Sequence, residues 1–403
     1  MSILSGKKIL LGITAGIAAY KTANLVRLFI KSGAEVQVIM TPASKDFITP
    51  LTLSTLSKNP VHSTFYEKEE ENELWNNHVE LGLWADYMLI APATANTLSK
   101  MTNGICDNLL IATYLSAKCP VYFAPAMDLD MYIHPSTVTS LEKLQAFGNI
   151  LIPATKGELA SGLVGEGRLA EPKDIVSFME NDILSSMPLH GKKVLITAGP
   201  TYESIDPVRF IGNHSSGKMG FEIAKAAANL GAKVFLVTGP SNEEVIQASI
   251  QRIDVVSAEE MYTACHHYFP EVTIAILSAA VADYRPKKAA AEKIKKKESS
   301  LAIVLEPTKD ILASLGVIKK EQFLVGFALE TNNELVNATT KLKQKNLDAI
   351  VLNSLNDKGA GFSLNTNKVT FIDKKERTIP FEMKSKSDVA IDIMNEILKK
   401  LDA

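Results

Sequence analysis

Cysteine is scarce: three among 403 residues, Cys106, Cys119 and Cys265, widely spaced and odd in number. Such spacing offers neither a disulfide framework nor a metal-ligand pattern, and it points to a reducing, cytoplasmic setting. An excess of one charge is missing too. The formal net charge is −2, so bulk electrostatics give no argument for nucleic acid or an anionic membrane as partner. No apolar run is long enough to span a bilayer. Lys7, Lys8 and the run from Ile9 to Ala19 imitate a signal peptide, but Tyr20 and Lys21 lead on into an amphipathic helix with Leu25, Val26, Leu28, Phe29 and Ile30. Two nucleotide fingerprints are also absent. Neither opening strand is followed by G-x-G-x-x-G, which counts against a nicotinamide oxidoreductase. Gly212 to Lys218 satisfies G-x-x-x-x-G-K, yet Met219 stands where a P-loop needs Ser or Thr, and the preceding strand ends too far upstream.

What is present is α/β alternation, twice over. GKKILLGITAG from Gly6 and GKKVLITAG from Gly191 nearly repeat each other, each opening a strand that runs into a glycine turn. The segment between them ends in NDILSSMPLH, Asn181 to His190, which places a domain boundary there: 1–185 and 186–403. In the first half, strands Ile9–Ile13, Val36–Met40, Tyr87–Ala91 and Val121–Ala124 alternate with helices Ile17–Lys31 and Asn108–Ala117. In the second half, strands Val194–Thr197, Val234–Val237, Ile274–Ser278, Leu324–Phe327 and Ala349–Leu352 do the same, and a helix from Lys218 meets a C-terminal cap at Gly231. Two doubly wound, Rossmann-like domains with mainly parallel sheets follow.

Three stretches do not fit the alternation. The acidic run Glu67–Glu73 reads as a solvated loop. Lys156–Arg168, punctuated by glycines, reads as a mobile lid or an ordinary hairpin. Lys287–Lys297 is basic and alanine-rich: a solvated helix or flap, or a lid whose lysines close over a polyphosphate. Polar turns at strand ends mark ligand sites. In the first half these are Thr14–Gly16, Thr41–Ser44, Thr94–Thr97 and Pro125–Asp128; in the second, the loop holding Arg209, Asn213, His214, Ser215, Ser216 and Gly217 looks like a nucleotide site. Asp283, after the alanines that close strand Ile274–Ser278, is a candidate oxygen ligand for magnesium.

Taken together these motifs resemble the bifunctional flavoproteins of coenzyme A synthesis, in which phosphopantothenoylcysteine decarboxylase is fused to phosphopantothenate–cysteine ligase. The first half carries GITAGIAAYK, MTPASKDFI, HVELGLWAD, APATANT and APAMDLDMY; the second carries ITAGPT, DPVRFIGNHSSGKMG, AAVADYRP, EKIKKK, GFALET and KNLDAIVLN. For the first half the resemblance implies bound FMN, with Gly12, Thr14, Gly16 and Ile17 at its phosphate, Thr41 and Ser44 beside it, and Thr94, Ala95 and Asn96 along the flavin. His78 aligns with the active-site histidine. The flavin gives the electrons of an oxidative decarboxylation somewhere to go and later returns them. For the second half it implies attack of 4′-phosphopantothenate on CTP, giving an acyl-cytidylate that cysteine then opens. Arg209 and Asn213 would hold the substrate carboxylate and the acyl intermediate, and Ser215, Ser216 and Gly217 the phosphates. Ala279, Ala280, Asp283 and Phe327 would frame the nucleotide and Mg2+, with Lys293 and Lys345 neutralising charge in the transition state. The fused arrangement favours CTP over ATP.

Two departures from the family stand out. Asp128 replaces the asparagine of a PAMN motif. The lid reads Ala160-Ser161-Gly162-Leu163 where the family has ACGD, so a reducing cysteine is missing. Either Ser161 or another group, Asp128 foremost, protonates the enethiol, or this half stops early and releases the oxidised product, or the lid is a lineage variant. The resemblance also implies decarboxylase trimers joined by ligase dimers into a dodecamer. A flavin-binding regulatory protein without catalysis is the non-enzymatic alternative, and the intact ligase half argues against it.

Overall fold

The computed structural model describes residues 2–69, 72–159, 161–295, 301–354 and 364–401. Ala160 of the lid and Lys296 and Lys297 of the basic run lie outside the described residues. The chain divides into two compact units, Met1–Leu184 and Ser185–Ala403.

In the first unit six parallel strands form one sheet, in the order Val61–His62, Glu35–Met40, Lys8–Ile13, Tyr87–Ala93, Val121–Pro125 and Ile150–Leu151. The order reverses between Lys8–Ile13 and Tyr87–Ala93, so a crevice opens at the carboxyl ends of these two strands. Both strands are buried almost throughout, as an apolar run covered by helices on both faces must be. Part of the core is Leu10, Ile90, Leu98, Leu110, Phe123 and Leu144, packed between sheet and helices. The second unit repeats this order with Ile250–Asp254, Lys233–Thr238, Lys193–Ala198, Ile274–Leu277, Phe323–Glu330 and Ala349–Ser354, then adds antiparallel Val369–Asp373 and Thr378–Pro380 at one edge. Its two faces are closed by separate apolar clusters, one around Phe221, Ile276 and Ile393, the other around Phe235, Met261 and Leu324.

Local chemistry sets the boundaries. Asn108 caps the helix Leu109–Ser116 by accepting from the Ile111 amide at 3.1 Å. Gly231, at φ 93°, takes the left-handed position that follows helix Lys218–Asn229. The helix expected over Ile17–Lys31 is divided: Ile17–Lys21 is 3₁₀ and Thr22–Lys31 is α. The described part of the acidic run is paired strand, Tyr66–Glu69 against Asn72–Trp75, with Tyr66 opposite Trp75 and ring centroids 4.7 Å apart; Glu70 and Glu71 lie outside the described residues. That aromatic pair supports a strand pairing that charge pattern alone reads as a loop. The glycine-rich lid is also a hairpin, Thr155–Glu158 against Val164–Arg168. The described part of the basic run, 287–295, forms neither helix nor strand. Among the described residues no helix is long and apolar enough to cross a membrane.

Candidate functional site

A cavity of about 990 Å³ lies at the switch point of the first sheet. Gly16, Ile17, Thr41, Thr94, Ala95, Asn96 and Asp128 line it, brought together from four strand ends. Of the described lid residues, Glu158, Leu159, Gly167 and Arg168 line the cavity. Thr14 does not reach the cavity. Its hydroxyl donates to the Pro92 carbonyl at 2.6 Å and accepts from the Thr94 amide at 3.1 Å, tying the two central strand ends together. Gly12 does not reach it either: it sits mid-strand, where a Cβ would come within 2.5 Å of Leu110. Ser44 is buried and donates to the Thr41 carbonyl at 2.7 Å, shaping the turn that presents Thr41.

Thr41 supplies the test of whether a phosphorylated cofactor fits. Its Oγ1 is buried and has no hydrogen-bond partner, in a wall of the cavity. Buried hydroxyls are ordinarily satisfied, so the vacancy fits an acceptor or donor brought by a ligand. Gly16 lines the same cavity, where a Cβ would meet nothing closer than Thr94 Cγ2 at 3.5 Å. Three cations line the cavity, Lys21, Lys100 and Arg168. Buried Lys21 donates to the Leu169 carbonyl at 3.1 Å and pairs with Glu171 at 2.9 Å, and Arg168 pairs with the same carboxylate. The hydrogen bond from Lys21 holds the Glu171 carboxyl below its usual range. Lys100 pairs with Asp107 at 2.6 Å. None of these cations was singled out from the sequence, although Lys21 closes the GITAGIAAYK motif.

Two expected groups stand apart from this cavity. His78 opens the helix His78–Trp84, with Asn77 as its cap, and its ring lies edge-on to Phe65 and Trp75 at 6.1 and 6.3 Å. Its Nδ1 is buried without a hydrogen-bond partner. Ser161 is exposed at the lid tip, where its hydroxyl accepts from the Leu163 amide at 3.4 Å. Asp128 does line the cavity. One carboxylate oxygen accepts from the Leu129 amide at 2.6 Å, capping a short helix.

In the second unit a small cavity, about 80 Å³, gathers Ser215, Ser216, Gly217, Ala280 and Phe327. Gly217, at φ 82°, caps helix Lys218–Asn229, and a Cβ there would sit 3.1 Å from the Gly199 amide nitrogen. The helix N-terminus is therefore pressed close to the strand end, and its Gly217 and Lys218 amides donate to the Ser215 and Ser216 hydroxyls at 3.2 and 3.4 Å. The same cavity is lined by Lys218, Ser278, Asn353 and Lys386. Burial and the nearby Lys218 push the Lys386 ammonium below its usual range. Lys386 lies at the start of the C-terminal helix, far along the chain from any motif, so no sequence signal marked it.

The remaining expected residues lie outside that lining. Asn213 donates to the carbonyls of Ala280 and Val281 at 3.4 and 2.9 Å, joining the loop to the next strand end. Ala279 donates its amide to the Thr197 hydroxyl at 3.1 Å. Asp283 and Lys293 are exposed. Lys345 pairs with Asp310 at 2.8 Å. Arg209 is committed to Asp206, with Nη2 at 2.6 Å and Nε at 3.0 Å. Among the described residues no cluster of three His, Cys, Asp or Glu side chains forms a metal site.

The flavoprotein family profile matches residues 2–184, and that of the DNA/pantothenate metabolism flavoprotein C-terminal domain matches residues 189–401. A cysteine/cysteine sulfinic acid decarboxylase from an unknown prokaryotic organism is 54% identical over 356 residues, 87% of this chain and 99% of that protein. The coenzyme A biosynthesis bifunctional protein CoaBC of Bacillus subtilis (strain 168) is 43% identical, covering 98% of this chain and 97% of its own. That of Vibrio cholerae serotype O1 is 44% identical, with full coverage of both chains, 100% and 100%. With both profiles in tandem and relatives aligned end to end, the chain belongs to the family of bifunctional coenzyme A biosynthesis flavoproteins.

Proposed function

We propose that the second unit joins cysteine to 4′-phosphopantothenate through an acyl-cytidylate, consuming CTP, and that the first decarboxylates the product to 4′-phosphopantetheine with FMN. The observation that carries the first activity is the cavity at the switch point with the unpartnered Thr41 hydroxyl in its wall. FMN held there supplies a two-electron acceptor that a cysteinyl carboxylate needs before it can leave as carbon dioxide. Gly16, Ile17 and Thr41 would hold its phosphate, and Thr94, Ala95 and Asn96 would orient the ring. Asp128 lies in the same lining and is the candidate to hold a proton for the enethiol. The Gly165 and Gly167 strand would exclude water by lying over the Asp128 turn.

In the second unit Ser215, Ser216 and Gly217 would receive the phosphates of CTP at the helix start. Ala280 and Phe327 line the same cavity and would frame the base or ribose. Asp283 would hold Mg2+ together with triphosphate oxygens, as magnesium commonly uses one or two carboxylates and substrate phosphates. Lys293 and Lys345 would balance the charge that develops at the α-phosphate. The protein would act in the cytoplasm as decarboxylase trimers joined by ligase dimers. Exposed Trp75, Val79 and Leu83 beside His78 support a subunit contact at that face.

The test is incubation with 4′-phosphopantothenate, cysteine, CTP and Mg2+, with products read by mass spectrometry. 4′-Phosphopantetheine with CMP and pyrophosphate is expected. A second reading rests on the 54% identical relative, whose name gives cysteine and cysteine sulfinic acid as substrates. Carbon dioxide released from those amino acids, with none from 4′-phosphopantothenoylcysteine, would establish it instead.

A further inference from the structure

Asp206 carries a buried carboxylate in the second unit, with its side chain 0% exposed. One oxygen accepts from the amides of Val208 and Arg209 at 2.9 and 2.8 Å. The other accepts from Arg209 Nε and Nη2 and from the Ile294 amide at 3.1 Å. Arg209 Nη2 also donates to the Ile294 carbonyl at 2.6 Å, and the Ala290 amide donates to the Ile205 carbonyl at 2.9 Å. One carboxylate thus fastens the turn 205–209 to the basic segment 290–294, which has no regular structure of its own. Burial opposes ionisation of Asp206, but the amides and the guanidinium outweigh it and hold the carboxyl well below the usual range.

The geometry also bears on Arg209. A guanidinium receives a carboxylate best through a two-nitrogen edge. The Nε–Nη2 edge of Arg209 is already filled by Asp206, and Nη2 is shared with the flap carbonyl. A substrate carboxylate could take that edge only by breaking the fastening.

We propose that Asp206 is a positioning residue of the ligation reaction, using Arg209 as a latch that holds the flap carrying Lys293, and that Arg209 does not ligate the substrate carboxylate. This rests on the ligase reading of the second unit. Asp206 holds the backbone of Ile294, the neighbour of Lys293, and so limits where the Lys293 ammonium can go. Replacing one oxygen of Asp206 by NH2 sets a donor against other donors, which a buried site tolerates poorly.

The experiment compares wild type, Asp206→Asn and Arg209→Lys in the full-length protein. Amide hydrogen exchange at Ala290 and Ile294 should quicken by about tenfold or more in both variants, as expected for loss of a charge-assisted buried bond, while strand Lys193–Ala198 keeps its protection. Ligation kcat should fall by about tenfold or more, with KM for 4′-phosphopantothenate changing by less than about threefold. The double variant should be no worse than the poorer single one. Arg209→Lys keeps the buried Asp206 carboxylate but removes the guanidinium bond to the Ile294 carbonyl that helps hold the segment, so it reads the latch even if Asp206→Asn fails to fold. A rise in KM with kcat unchanged would make Arg209 a substrate ligand and overturn the proposal, as would unchanged exchange at Ile294. Absence of ligation in the wild type would instead refute the ligase reading, leaving the exchange result to judge the clamp.

Discussion

Gly167 lies against Met127 so closely that a Cβ would come within 2.4 Å of the Met127 carbonyl oxygen, and the Met127 amide donates to the Gly167 carbonyl at 3.0 Å. This contact docks the lid strand on the turn that carries Asp128. At φ 141° the position also excludes other residues on conformational grounds. Gly167→Ala should therefore cost about 1–3 kcal/mol in local strain and undock the hairpin. Decarboxylation of supplied 4′-phosphopantothenoylcysteine should fall about tenfold or more, with ligation intact. An unchanged rate would show that the lid contact is not needed for turnover.

Asp128 lines the cavity with one carboxylate oxygen committed to the Leu129 amide. Asp128→Asn keeps an acceptor for that amide but removes the acid. The variant should release carbon dioxide and accumulate the enethiol in place of 4′-phosphopantetheine, detectable by mass spectrometry. Full yield of 4′-phosphopantetheine would take Asp128 out of the mechanism.

His78 is held edge-on by Phe65 and Trp75, outside the cavity lining of its own unit. His78→Asn should abolish decarboxylation while flavin absorbance and ligase activity persist. Carbon dioxide release at the wild-type rate would reduce His78 to a packing residue.

Asn213 donates to two carbonyls, those of Ala280 and Val281. Asn213→Asp sets a carboxylate against both, and against any anionic substrate held nearby. A loss of roughly 2–4 kcal/mol in transition-state stabilisation is expected for ligation, read as kcat/KM, with decarboxylation unaffected. Wild-type ligation would refute the loop assignment.

Asp373 gives a pH dependence of stability. It is buried, which opposes ionisation, but Lys400 and the side chain and amide of Arg377 hold its carboxyl down at about 2, against an ordinary value of 3.8. A depressed carboxylate stabilises the fold above the unfolded value and loses that contribution as pH falls toward the folded one. The melting-point gap between wild type and Asp373→Asn should be widest near neutral pH and should narrow below about pH 4. A gap that does not vary with pH would contradict the ion-pair account.

Much of the fold was legible because its signals are local. The apolar runs, the two glycine turns and the Gly231 stop each act within a few residues, and their alternation dictates parallel sheets. The pairing of Tyr66–Glu69 with Asn72–Trp75 escaped because its aromatic pair brackets a run of charges that speaks for solvent. In the first site, Gly16, Thr41, Thr94 and Asp128 were marked in advance by sitting at strand ends, where the polypeptide must turn and expose its amides.

Residue types and their order thus determined by themselves where strands end, and therefore which turns meet at each rim. Only the tertiary structure decided what individual side chains do there. Lys21 meets Leu169 from 148 positions away, and Asp206 meets Ile294 across 88. Thr14 and Arg209, both marked as ligand groups, are engaged within the protein, while Thr41 is, among the described residues, the one hydroxyl lining the first cavity that is buried without a partner. A polar group takes its role from the partner within about 3 Å of it, and that distance is set by packing between segments remote in the chain.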